Sequence, residues 1–280
     1  MDETTTVAWG DIPSLSATNT KAIVPTPSAQ LSVAALQELS PARIALGQCG
    51  AGLPTSARTQ LLEDHGQARD SVHSQAQWDV VATALTKLGY GSQFREVSSQ
   101  AGSRVEYLTR PDLGRLPHSV AHIHPQPEAR IGIVLADGLS PQAVHMHGPQ
   151  LIDALFRLNP GQYHIDEPVF AHQARVALGD HIAAAAQWDV VIMIIGERPG
   201  MSVPSSLGLY LTYKAQPGST DEQRNCISNV HPPEGTDYEA AAAIAWDLIE
   251  QFYYKQKSGF EIKAKEAQML LAKYTSEIQA

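Results

Sequence analysis

The chain has 280 residues, 43% of them hydrophobic and 18% charged, the balance of a folded globular protein and not of a disordered tail. Its net charge of −9 excludes an electrostatic grip on nucleic acid or anionic lipid, and no apolar run reaches the roughly 20 residues that a membrane helix needs. The two cysteines, Cys49 and Cys226, are far apart and lack metal-ligand spacing, which excludes a disulfide framework and a structural zinc site.

The opening "MDETTTVAWG" is acidic and lacks the basic and apolar regions of a signal peptide, so a cytoplasmic protein is expected. Residues 1–30 are rich in Thr, Ser, Pro and Ala without a sustained period and read as a flexible arm. A short helical pattern runs from Ser32 to Leu39, and a glycine-rich stretch, "LGQCGAG", follows. Leu53-Pro54-Thr55 marks a helix start with Thr55 as its N-cap. Trp78, Val81, Ala82, Leu85 and Leu88 recur at helical spacing, with Gly89 as the stop. "FREVS" and "RVEYLTR" read as two short strands before Pro111. Residues 31–110 thus resemble a small, mostly helical domain.

From residue 111 to 280 the pattern changes. "RIGIVLA", Arg130 to Ala136, is a buried strand ending at Asp137-Gly138. "PQAVHMHGPQLIDALFRL" is helical, with Pro141 in its first turn. "YHIDEPVFAH" is a broken, partly extended segment, "VALGDHIAAAAQ" a helix and "DVVIMIIG" a second buried strand. "LGLYLTYK" and "NCISNVH" add edge strands, and a Thr236-x-x-Glu239 capping box opens a long helix. Its apolar face is Ala241, Ile244, Ala245, Leu248 and Phe252. Strands alternating with helices predict an α/β fold of βαβ units around a parallel sheet buried on both faces.

Asp189 to Gly208, "DVVIMIIGERPGMSVPSSLG", poses the functional question. An apolar strand stops on an adjacent acid and base, Glu197 and Arg198, held by Pro199 and Gly200. In open α/β sheets ligands bind outside the carboxyl ends of the strands. If the two buried strands share a sheet, Asp137-Gly138 and Glu197-Arg198 lie on one rim, where glycines let backbone approach a ligand. The plain alternative is a turn beside a surface ion pair of little energetic value. No G-x-G-x-x-G follows a strand, and neither G-x-x-x-x-G-K-[ST] nor G-x-S-x-G occurs, so dinucleotide, triphosphate and serine-hydrolase fingerprints are missing. Of the eleven histidines, His122 with His124 or His145 with His147 would pair on one face of a strand. Solvated histidines are the default reading for both pairs. For Cys226, in an apolar–polar strand, the default is a buried inert thiol.

Six motifs in one order carry a more specific reading: "DHGQARDSVH", "LTRPDLGR", "ADGLS", "IGERPG", "SLGLYLTY" and "RNCISNVHPPEG". From about Ala42 to Ile262 the chain resembles the small (light) subunit of adenosylcobalamin-dependent ethanolamine ammonia-lyase. The resemblance implies a lyase complex that converts ethanolamine to acetaldehyde and ammonia by a radical route. It implies a Rossmann-like sheet flanked by helices that closes the cobalamin site, and a large-subunit barrel that holds the substrate within a higher hetero-oligomer. By position in the motifs, the resemblance makes Val176, Glu197 and Cys226 the cofactor contacts. Asp137 and Arg198 are neighbours by the rim argument alone, and Arg198 would alternatively anchor Glu197. No D-x-H-x-x-G occurs, which implies that cobalamin keeps its own base as lower ligand. Two departures stand out. Gly47-Gln48-Cys49-Gly50 replaces the family's Gly-Arg-Ala-Gly, and the arm before Ser32 has no convincing amphipathic helix of the kind that some members use to enter a bacterial microcompartment. Encapsulation therefore stays open. The alternatives are a non-catalytic assembly subunit and a stand-alone nucleotide-cofactor enzyme of Rossmann-like fold.

Overall fold

The two longest apolar runs become neighbouring strands in the middle of a sheet. The computed structural model describes residues 42–265, and the elements all lie in the second of two units, which starts at Gly47. The strands are β1 (Arg95–Ser98), β2 (Ile131–Ala136), β3 (Val169–His172), β4 (Val190–Gly196), β5 (Leu207–Tyr213) and β6 (Asn225–Val230). They form one six-stranded sheet in the order β1-β3-β2-β4-β5-β6. The first four run parallel, whereas β4–β5 and β5–β6 pair antiparallel. The sheet is therefore mixed and not wholly parallel. Parallel neighbours need a long crossover, and no α-helix separates β4 from β5 or β5 from β6.

Helices α1 (Thr55–His73), α2 (Trp78–Leu88), α3 (Arg104–Thr109), α4 (Pro141–Arg157), α5 (Leu178–Ala186) and α6 (Tyr238–Lys255) complete the unit. Strands β2 and β4 are buried at every position, and side chains alternate between faces. Ile131, Ile133, Leu135, Ile192 and Ile194 pack with α2, α4 and α6, while Val134, Ala136, Val191, Met193 and Ile195 pack with α5. Each such fully buried Ile or Leu contributes about 1.5–3 kcal/mol. None of the described helices is long and apolar enough to cross a membrane.

Several expectations need correction. "RVEYLTR" is helical: Ser103 Oγ accepts from the Glu106 amide at 3.2 Å and Glu106 accepts from Gly102 N at 2.7 Å, so local capping overrides the alternating pattern. Thr55 is the first helical residue and not the cap, a position held by Pro54 without a side-chain bond. Asp237, not Thr236, caps α6, through a 2.6 Å bond from the Ala240 amide. β5 lies inside the sheet between β4 and β6, leaving only β6 at that edge. At the other edge β1 pairs with β3, so residues before 111 contribute a strand to the same sheet, and the unit runs on unbroken from Gly47. The arm at 1–30 and the pattern at 32–39 lie outside the described residues.

Candidate functional site

The rim forms because β2 and β4 are neighbours in register, Ala136 opposite Ile195. Their ends meet at two glycines. Gly138 has φ +54°, and a Cβ there would sit 2.2 Å from the Gly196 carbonyl oxygen. A Cβ on Gly196 would sit 2.2 Å from the Ser140 oxygen and 2.5 Å from that of Asp137. This close approach lets the Leu139 amide donate to the Gly196 oxygen at 2.9 Å, locking the start of α4 to the end of β4.

Glu197 leaves the rim half-buried. Its carboxylate accepts from Ser206 Oγ at 2.7 Å and from the Asn229 amide at 3.2 Å, which ties the end of β4 to β5 and β6. Gly208 makes room for it, since a Cβ there would approach Glu197 Oε1 to 2.9 Å. Arg198 is not its anchor. That side chain is exposed, and Ser206 and Asn229 hold the carboxylate instead. On the facing side, the β3–α5 loop carries Arg175 and the half-buried Val176. Asp137 acts behind this loop and does not line the groove: its carboxylate accepts from the Gln173 amide at 2.8 Å and the Ala174 amide at 3.1 Å. Burial pushes the Asp137 carboxyl up, and those two donors with Arg104, 3.8 Å away, pull it back toward the charged form. Arg104 also donates to Val72 O at 2.7 Å and Gly138 O at 2.8 Å, and it lies over the Tyr107 ring. Arg175 covers the same ring at 4.4 Å, and burial raises the Tyr107 pKa.

Between these walls runs a groove of about 450 Å³ lined by Val176, Glu197, Arg198, Tyr210, Tyr107 and Arg175, among others. Two of the three expected contacts, Val176 and Glu197, therefore share one cavity. Cys226 stands beside it on β6, opposite Tyr210 in register and hydrogen-bonded to it through the side chains. Cys226 is exposed, contrary to the expectation of a buried thiol, because Ile227 and Val230 take the core-facing positions of β6. Desolvation by the atoms packed around the sulfur still pushes its pKa up, partly offset by the Tyr210 bond. Burial likewise raises Tyr210 to about 12, with the nearby Cys226 and Glu197 adding to the shift.

The sequence reading missed Tyr210, Arg175, Tyr107 and the two residues that hold Glu197. The alternation of "LGLYLTY" carries the signal for Tyr210: Leu207, Leu209 and Leu211 face one core and Tyr210 the other side. The histidine pairs do not lie on strands. His145 and His147 belong to α4, where His145 Nε2 accepts from the Gln77 amide at 2.6 Å and His147 pairs with the Tyr238 hydroxyl at 2.7 Å. His122 bonds the Glu96 carbonyl at 2.8 Å. Among the described residues, no three His, Cys, Asp or Glu side chains gather as a metal-ligand set.

A family model, "Ethanolamine ammonia-lyase light chain (EutC)", matches residues 30–263. An ethanolamine ammonia-lyase small subunit from Rhodococcus erythropolis is 45% identical over 228 residues, covering 81% of this chain and 88% of that protein. Small subunits from Rhodopseudomonas palustris (40% over 250 residues, 85% and 92% covered) and Bradyrhizobium diazoefficiens (41% over 239 residues, 83% and 90% covered) are similar as well. With most of its length matched, from the glycine-rich stretch through the rim to the end of α6, the chain belongs to the ethanolamine ammonia-lyase small-subunit family.

Proposed function

We propose that this chain is the small subunit of an ethanolamine ammonia-lyase and closes the adenosylcobalamin site of a complex with a large subunit. The observation that carries this reading is the single groove at the carboxyl ends of the strands, with Val176 and Glu197 in its walls and Cys226 beside Tyr210 at its margin. We read β2–α4–β3–α5–β4 as the Rossmann-like part, because α4 and α5 cover opposite faces of the sheet, so the loops after β2 and β3 part there.

The residues suit a corrin with its nucleotide tail. Glu197 is pre-positioned by two donors and keeps lone pairs for an amide N–H or a ribose O–H, a charge-assisted bond of about 1.5–3 kcal/mol in a dry interface. Val176 and the ring of Tyr210 supply apolar wall, and Arg175 brings a buried Nε with no partner among the described residues. When bound, adenosylcobalamin supplies homolysis of its cobalt–carbon bond, the step that opens the conversion of ethanolamine to acetaldehyde and ammonia. This chain's part is to hold the cofactor's edge in register and to exclude water from that side of the shared site.

The test is acetaldehyde production from ethanolamine with added adenosylcobalamin, for this chain alone and co-expressed with a large subunit. Activity is expected only in the complex. Glu197→Ala should weaken cofactor binding there by about tenfold or more while assembly persists. Activity from the isolated chain, or failed assembly with unchanged cofactor affinity, would overturn the reading.

A further inference from the structure

Beside the groove lies a second hollow, also about 450 Å³, which shares Leu139, Arg175 and Arg198 with it. Helix α1 supplies His65, Arg69 and His73 to its wall. The lining thus carries three arginines and two histidines and no carboxylate, in a chain whose net charge is −9. These cations are poorly matched within the chain. Arg69 has only a 3.7 Å pairing with Asp70, with both side chains mostly exposed. Arg198 is exposed, and no ion pair or hydrogen bond holds its guanidinium among the described residues. Arg175 uses Nη2 on the Tyr107 carbonyl at 3.2 Å, but its Nε is buried without an acceptor. A buried N–H left unpaired is costly, and like charges focused in one hollow raise the local concentration of anions.

We propose that this hollow receives the phosphodiester of the cofactor's nucleotide tail, with Arg198 and Arg69 as counter-charges and Arg175 Nε as a donor. The inference rests on the reading of the neighbouring groove as the corrin site. The corrin's fringe of amides is neutral, and the phosphodiester is the peripheral anion of the molecule. The two hollows share Arg175 and Arg198, so a ligand lying in the groove has its tail within reach of both. Guanidinium groups offer forked donors that match phosphate oxygens. Val72, Leu108 and Leu139 give the hollow an apolar floor for the sugar and base beside the phosphate.

The experiment compares cyanocobalamin with dicyanocobinamide, which lacks the nucleotide tail and its phosphate. Dissociation constants are measured by equilibrium dialysis on the complex with the large subunit. Arg198→Ala should weaken cyanocobalamin about tenfold or more and leave dicyanocobinamide unchanged. The pair Arg69→Ala with Arg198→Ala should weaken cyanocobalamin further, again without an effect on dicyanocobinamide. Equal weakening of both ligands, with loss of large subunit on gel filtration, would assign the arginines to an acidic segment of the partner and overturn the proposal. If neither the single nor the paired variant changes cyanocobalamin affinity while Glu197→Ala still reduces it, the phosphate site is wrong and the groove reading stands. If Glu197→Ala has no effect either, both are wrong.

Discussion

Replacing Asp180 by alanine should cost the fold about 3–5 kcal/mol. Asp180 on α5 accepts two bonds of 2.6 Å from Arg224, just before β6, and the two side chains are only 1% and 3% exposed. Without the carboxylate, Arg224 keeps Thr212 Oγ1 at 3.2 Å and the Ser219 carbonyl at 2.8 Å, both neutral acceptors. Its remaining acid, Asp221, is 3.4 Å away but 85% exposed, so solvent screens it. A guanidinium would stay buried without a matching charge, and that loss is large against the roughly 5–15 kcal/mol that a domain has in total. Urea unfolding followed by far-ultraviolet circular dichroism reads the effect. With a slope of about 2–3 kcal/mol per molar, the midpoint should fall by about 1–2 M. Arg224→Ala should cost a comparable amount, and the double variant much less than the sum, because no charge is then stranded. A single-variant loss under about 1 kcal/mol, or additive losses in the double variant, would refute the argument.

Gly196→Ala puts a Cβ 2.2 Å from the Ser140 carbonyl oxygen, so the rim must open. We expect a stability loss on the order of 1–3 kcal/mol in thermal unfolding, together with weaker cofactor binding in the complex. An alanine variant with unchanged melting would contradict the close-packed rim. The pKa of Cys226 is raised by desolvation, so at pH 8 less of it is thiolate than in an unperturbed peptide thiol. In a Cys49→Ser background its alkylation by iodoacetamide should be slower than the peptide's and should keep rising with pH after the peptide rate has levelled. Tyr210→Phe removes the bond that favours the thiolate and should move the profile to still higher pH. A profile that coincides with the peptide's, or one unmoved by Tyr210→Phe, would contradict this.

Much of the fold was legible in the chain itself. β2 and β4 announce themselves because a strand covered on both faces must be apolar at every position, and few other segments satisfy that. α2 is equally plain: Trp78, Val81 and Leu85 repeat at helical spacing, and Gly89 at φ +87° ends it. The rim followed from these two strands, and so did the choice of Glu197 as its acid. α3 was misread because six residues carry too short a pattern to separate helix from strand, and a cap bonded across three or four positions decided it.

The sequence by itself determined the family, the apolar strands, the main helices and the positions of Val176, Glu197 and Cys226. Only the tertiary structure decided strand order, the antiparallel turn of β5 and β6, and the role of Asp137 as a clamp on the loop that carries Val176. It alone brought α1 beside the β4–β5 loop, where Arg69 and Arg198 line one hollow although 128 positions separate them. Periodicity reports how a residue faces its own element. Contacts between distant elements depend on how several faces pack at once, and no local window of the chain contains that information.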